Sequence, residues 1–240
     1  MTNALRDKRA EIATRLDITS PADAPTAYYA LYHDPSRSTL VTAARGFAGR
    51  FQTGVDLFRP LITLGCLDAE TAANLLSQIA LPGRPYMFFA PLNQLPLVGG
   101  SMQISGERIL TIHVLDRAQF RSEMNILVRR SSAPDGSPRA EISAETGERR
   151  VRAIAGVNWE SAGFAELYVE VDPGARQKGW GRSVLVALIE AVLAGGRLPL
   201  YLVEPTNEAS LRLAHSVGFQ ETGARQVYAD AIYLGHPGKR

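Results

Sequence analysis

Residues 164–203, FAELYVEVDPGARQKGWGRSVLVALIEAVLAGGRLPLYLV, constrain this 240-residue chain more than any other stretch. They read as a strand, a glycine-rich basic turn, a long apolar helix and a second, apolar strand. Along Phe164–Val171 the side chains alternate: Glu166, Tyr168 and Glu170 share one face, and Leu167, Val169 and Val171 share the other. Arg176, Lys178, Gly179, Gly181 and Arg182 follow, at the start of a helix expected over Arg182–Ala194. A helix start has N–H groups without intrahelical partners and the positive end of the dipole, so this turn is an anion cradle by construction. A sharp turn with no ligand is the plainer alternative. A Walker loop is excluded because no Gly-Lys-Ser/Thr follows, and a dinucleotide loop fits poorly with a single Gly-x-Gly pair.

Upstream, Leu5, Ile12 and Leu16 have helical spacing over Ala4–Leu16, with Asn3 as a candidate cap. Ala27–His33 and Ser38–Ala44 read as strands joined through Asp34–Arg37, and Phe58–Cys66 as a third strand. Asp68 then caps a helix over AETAANLLSQIA, ended by Pro82-Gly83. Tyr86–Ala90 is a short apolar strand, Leu92–Met102 is broken by Pro96 and Gly99-Gly100, and Glu107–Leu115 is a further strand. Strands over Met124–Arg129, Arg139–Ser143 and Val151–Asn158, the last two a hairpin around Gly147, precede Phe164. After Leu198–Val203 come a helix over Asn207–Val217, stopped by Gly218, and a last strand over Gln226–Leu234.

Side by side, the two halves share an order of elements. Phe58–Leu64 matches Phe164–Val171, Tyr86–Pro91 matches Leu200–Pro205, and Glu107–Leu115 matches Arg225–Leu234. Two copies do not make a solenoid, so this is a pseudo-repeat of two domains, expected at residues 1–121 and 122–240. One difference separates them: the first copy passes from Leu64-Gly65-Cys66 into its helix without a glycine-basic turn.

Composition narrows the partners. A net charge of +2 gives no general affinity for polyanions, so nucleic acid is not expected. Arg149, Arg150 and Arg152 read as solvated strand-edge residues. Cys66 is the only cysteine, which rules out an internal disulfide and fits a reducing compartment; its apolar neighbours mark it as a packing residue. The charged N-terminus lacks a signal-peptide core and no apolar run reaches the ~20 residues of a membrane span, so a cytoplasmic protein away from membranes is expected. His33 and His113 stand alone on apolar strands, so no metal is expected.

The second half, over roughly Arg139–Leu234, resembles the GNAT superfamily of acyl-CoA N-acyltransferases. The family's Arg/Gln-x-x-Gly-x-Gly/Ala signature stands as Arg176-Gln177-Lys178-Gly179-Trp180-Gly181, directly after a Val-x-Val-x-Pro strand end formed by Val169, Val171 and Pro173. Downstream, Asn207, Ser210, Leu211, Leu213, Gly218 and Phe219 follow the family's Asn-led helix. The resemblance implies an α/β fold of two GNAT-like domains, each a twisted, mixed, mostly antiparallel sheet flanked by helices, the first a degenerate copy without a cofactor loop. Acetyl-CoA is the implied co-substrate. Its pyrophosphate is assigned to the loop Arg176–Arg182, including Lys178 and Trp180, its pantetheine to the backbone at Val169 and Val171, and further contacts to Asn207 and Ser210.

Direct transfer to an amine needs a base, and the resemblance offers Glu166, within Phe164-Ala165-Glu166-Leu167, with Glu170 as the second carboxylate on that face. The family's acid, a tyrosine on the Asn-led helix, is replaced here by Ala214; Tyr228, His215 or Tyr168 are the candidate substitutes. Only the short loop Ser131–Pro138 stands where family members have two helices walling the acceptor site, so the first half is expected to supply that wall. The acceptor expected is a small-molecule amine, a homodimer is one open assembly, and a non-catalytic acyl-CoA sensor is the alternative function.

Overall fold

The structure is a computed structural model that describes residues 3–146 and 149–238. In chain order the helices and strands are α1 (Asn3–Ala13), α2 (Ala24–Ala27), β1 (Ser38–Ala43), β2 (Gly46–Phe51), β3 (Leu61–Cys66), α3 (Ala69–Ile79), β4 (Pro85–Pro91), α4 (Leu95–Val98) and β5 (Met102–Leu115). They continue with β6 (Arg129–Ser132), β7 (Pro138–Thr146), β8 (Arg149–Glu160), β9 (Phe164–Val171), α5 (Trp180–Ala194), β10 (Leu198–Val203), α6 (Glu208–Val217) and β11 (Phe219–Tyr233). The turn expected around Gly147 lies outside the described residues.

The chain forms two compact units, one of residues up to Leu110 together with those from Ala224 onward, the other Thr111–Gly223. This division is not the simple cut after residue 121 that the element order suggests. The closing strands are exchanged. In the first unit β4 pairs antiparallel with β11, through Tyr228↔Phe89 and its neighbours, and in the second β10 pairs antiparallel with β5, through Tyr201↔His113.

Within the first unit, β1, β2 and β3 are successively antiparallel, and β3 runs parallel to β4 over Leu61↔Met87 and Ile62↔Phe88. Helix α3 closes one core, where Ile62, Leu64, Leu75, Leu76, Tyr86, Phe88 and Val227 are buried. Asp68 accepts the Thr71 N–H at 2.7 Å, the cap expected from sequence. The strand expected over Ala27–His33 is instead the end of α2 and a π turn over Tyr28–Tyr32, closed by the His33 N–H to the Tyr28 carbonyl at 2.9 Å. Pro25 starts this helix, and Ala27 and Ala30 favour it, so the strand partner of β1 is β2. β3 begins at Leu61, and Phe58 stands exposed before it.

The second unit repeats the same order of strand directions. β6, β7, β8 and β9 are antiparallel neighbours, and β9 runs parallel to β10. No strand forms over Met124–Val128; Leu127 is 93% exposed, and β6 starts only at Arg129. Helix α5 is buried from Ser183 through Ile189, because it is apolar on nearly its whole circumference. It packs with Leu167, Tyr201, Ala214 and Phe219 in the unit's core, and truncating such a leucine costs about 2–5 kcal/mol. Among the described residues no helix is long and apolar enough to cross a membrane.

Candidate functional site

The site follows from where two strands part. The parallel register of β9 and β10 holds for Leu198↔Phe164, Pro199↔Ala165 and Leu200↔Glu166, and stops there. β9 continues to Val171 and β10 to Val203, so the sheet forks after Glu166 and Leu200. Beyond the fork, an extended ligand finds strand backbone on which it can pair as an added strand.

At the mouth of the fork the chain makes its glycine-basic turn. Asp172 ties the turn to β8: its N–H donates to the Arg152 carbonyl at 3.0 Å and its carboxylate accepts the Arg152 N–H at 2.9 Å. After a single 3-10 turn over Pro173–Ala175, Gln177 and Gly179 take left-handed backbone conformations with φ of 59° and 75°. Glycine adopts that geometry freely, whereas Gln177 bears a cost of about 1–2 kcal/mol, an investment of strain typical of binding loops.

Helix α5 starts at Trp180, two residues earlier than the sequence suggests. Its N-cap, Gly179, offers no side-chain cap, and the first helical bond runs from the Ser183 N–H to the Gly179 carbonyl at 3.1 Å. The N–H groups of Trp180, Gly181 and Arg182 therefore point out of the open helix end. At Gly181 a Cβ would sit 3.0 Å from Val171 Cγ2 and 3.7 Å from Leu213 Cδ2, so the helix end approaches β9 only because the residue is glycine.

Fork and loop together enclose a cavity of about 590 Å³, within the range of small-molecule sites. Val169, Val171, Arg176, Gln177, Gly179, Trp180, Gly181, Arg182, Asn207 and Ser210, all named from sequence, line it. Lys178 does not line it; its ammonium lies 5.8 Å above the Trp180 ring. Leu213 of the Asn-led helix lines it too, as do Tyr201 and Arg212, which are not evident as site residues from sequence. The Arg182 guanidinium turns away from the loop, donating to the Glu123 and Arg121 carbonyls and pairing with the Glu123 carboxylate, so the exposed cations lining the cavity are Arg176 from the loop and Arg212 from α6. Asn207 caps α6 by accepting the Ser210 N–H at 3.1 Å, and Ser210 Oγ lies 2.9 Å from the Tyr201 hydroxyl.

The opposite face of the fork carries Glu166, which is half-buried. Burial pushes its carboxyl up to about 7, while hydrogen bonds from the Asn158 and Trp159 side chains pull it back down. Asn158 Nδ2 donates to Glu166 Oε1 at 3.1 Å from a bulge in β8, where the register steps from Val157↔Leu167 to Trp159↔Glu166. Glu170, on the same face, is exposed. Tyr168 covers Gly156, where a Cβ would meet its ring at 2.6 Å. Tyr228 belongs to the first unit, its hydroxyl donating to Met87 Sδ at 3.0 Å and its ring 6.4 Å from Phe89.

Ala214 is fully buried, and His215 is exposed on α6 with its ring 5.6 Å from that of His113. Cys66 is buried with its thiol pushed up to about 12 by desolvation, so it is no nucleophile. Among the described residues no three His, Cys, Asp or Glu side chains converge on a metal position.

The first unit has the equivalent fork in a closed form. β3 and β4 part after Ile62↔Phe88, but Gln94 Oε1 accepts the Cys66 N–H at 2.8 Å, and α3 begins at the Asp68 carboxylate. Negative charge at that helix start disfavours an anion there, whereas the start of α5 carries no side-chain cap.

Residues 148–228 match the family described as FR47-like protein. Among solved structures, the chain is similar to a GCN5-related N-acetyltransferase from Kribbella flavida, with 14% identity over 98% of this chain and 97% of that one, at a TM-score of 0.61. A Drosophila protein aligns at 15% identity over 96% of this chain and 89% of that one, at a TM-score of 0.62. A tandem GNAT protein from the clavulanic acid biosynthesis pathway aligns at 13% identity over 95% and 93%, at a TM-score of 0.51. At these identities the likeness establishes a shared fold, with the mixed, mostly antiparallel sheets expected from the sequence. No curated protein sequence matches the chain.

Proposed function

From a chain of GNAT fold whose residues 148–228 carry the FR47-like match, we propose an N-acetyltransferase that moves the acetyl group of acetyl-CoA to the amine of a small molecule. The observation that carries this reading is the fork: an uncapped helix start at its mouth on one side, and a carboxylate held near neutrality on the other.

The residues present fit coenzyme A. The open N–H groups of Trp180–Arg182 and the Arg176 guanidinium suit a pyrophosphate, and Gly181 keeps the helix end clear of any Cβ. The splayed backbone of β9 from Leu167 to Val171 suits the amide-bearing pantetheine arm as a strand-like neighbour. Acetyl-CoA, once bound, supplies an activated acyl group on a thiol leaving group. Glu166 takes the proton that the amine loses on attack: a carboxylate titrating near 7 is matched to that task, whereas an ordinary one near 4.5 is a poorer base.

The test has two arms. Acetyl-CoA at about 100 times its Kd adds about 2.7 kcal/mol, a rise in Tm of about 5–10 °C for a chain of this size. No shift at millimolar acetyl-CoA overturns the reading. Release of free thiol that depends on an added amine then identifies an enzyme. Its steady absence across a broad amine panel favours the second reading, an acyl-CoA sensor, for which Ala214 in the family's tyrosine position speaks.

A further inference from the structure

The family's helical tyrosine is replaced by Ala214, yet a phenol stands in the same cavity on a different element. Tyr201 is on β10, immediately after Leu200, the last residue of that strand paired with β9. Side chains alternate along a strand, so Leu200 and its partner Glu166 face one side of the sheet, while Tyr201 and Leu167 face the other, toward α5 and α6. Tyr201 and Glu166 therefore stand on opposite faces of the same fork.

Tyr201 is 4% exposed, its ring is held 5.7 Å from Phe219, and its hydroxyl lies 2.9 Å from Ser210 Oγ at the first turn of α6. Both residues line the cavity. Burial raises the phenol above its ordinary value, which keeps it protonated and able to donate at neutral pH.

We propose that Tyr201, supported by Ser210, is the proton donor to the departing thiol. This inference rests on the acyl-transfer reading of the site. In the step, the amine nitrogen bonds to the carbonyl carbon and gives a proton to the Glu166 carboxylate. The carbon–sulfur bond breaks, its electron pair goes to sulfur, and sulfur takes the Tyr201 proton. The Ser210 hydroxyl donates to the phenolate oxygen that remains. Tyr201 regains a proton from water and Glu166 releases one to water, so the sum is amine plus thioester giving amide plus thiol. Acid and base never compete for one proton, because the sheet separates them.

A readout that needs no acceptor decides it. Coenzyme A labelled with carbon-13 at the carbon bearing sulfur is bound to the wild-type protein, to Tyr201→Phe and to Ser210→Ala, and the thiol is titrated by NMR. A phenol donating to the thiolate lowers the pKa of the bound thiol by about one unit in the wild type relative to Tyr201→Phe. Ser210→Ala gives an intermediate value. Tyr201→Phe keeps the ring packing, so a merely structural role leaves the thiol pKa unchanged. Equal thiol pKa values in wild type and Tyr201→Phe overturn the proposal while coenzyme A binding, followed by calorimetry, leaves the site reading intact. Should Tyr201→Phe not fold, a wild-type bound thiol that titrates no lower than free coenzyme A overturns it. Failure of the wild type to bind coenzyme A sinks both.

Discussion

Asn158 donates to Glu166 at 3.1 Å, and it does so from the bulged residue of the neighbouring strand. The bulge places an amide beside a carboxylate that burial otherwise keeps near neutrality. A base with this setting gives kcat/KM a limb that rises with pH through about 7. Glu166→Gln lowers turnover by about 10²–10⁴ and leaves acetyl-CoA binding in place. In Asn158→Ala the carboxylate loses a stabilising donor, so its pKa goes up and the rising limb moves to higher pH. A limb that stays put in Asn158→Ala removes Asn158 from this role.

Gly181 is the position where a side chain does most harm to the cradle. Its missing Cβ already has a neighbour 3.0 Å away in Val171 Cγ2, and Gly181→Asp adds negative charge at an open helix start. The expected result is loss of the acetyl-CoA thermal shift with a folded, cooperatively melting variant. A retained shift of several degrees places the ligand elsewhere.

Two arginines of the loop are predicted to part company. Arg176 is exposed toward the cavity, and Arg176→Ala weakens acetyl-CoA binding by about tenfold. Arg182 tethers residues Arg121–Glu123 through their carbonyls, and Arg182→Ala lowers the Tm of the unliganded protein by about 2–4 °C. Calorimetry and melting curves on both variants check this, and the opposite pattern exchanges the roles.

In the first unit, hydrogen bonds from the Thr71 backbone and the Arg45 side chain hold the Asp68 carboxyl down at about 2. A depressed carboxyl contributes stability that is complete above its unfolded value of 3.8 and fades as pH falls toward 2. Asp68→Ala therefore melts lower than wild type at neutral pH, and the gap narrows steadily below pH 4. A gap that is independent of pH assigns the effect to helix propensity instead.

Much of this was legible in the chain. Caps announce themselves locally, so Asp68 and Asn207 are read from their own neighbourhoods. The glycine-basic loop is a contiguous run, and its lining of the cavity follows from one strand end and one helix start. Ala27–His33 misleads because alanines and tyrosines suit either backbone, and the choice is made by Pro25 and the π turn that follows. Tyr201 is hidden among the leucines of β10, since nothing in Leu-Tyr-Leu-Val tells which face meets α6. The Asn158–Glu166 bond depends on a bulge, and the turning away of Arg182 depends on residues about 60 positions upstream. The exchange of β5 and β11 is a non-local pairing that similar strands leave open.

That exchange sets the order in which the protein can be completed during synthesis. The second unit has all its residues once Gly223 has left the ribosome, whereas the first lacks β11 until Gln226–Ile232 emerge. Until then β4, with its run Tyr86-Met87-Phe88-Phe89-Ala90, has an unpaired edge, the kind of surface that recruits other chains. At roughly 5–20 residues per second the wait is on the order of ten seconds. The half that is translated first is thus the last to close, and a nascent chain stalled before its final strand leaves the ribosome as an open sheet.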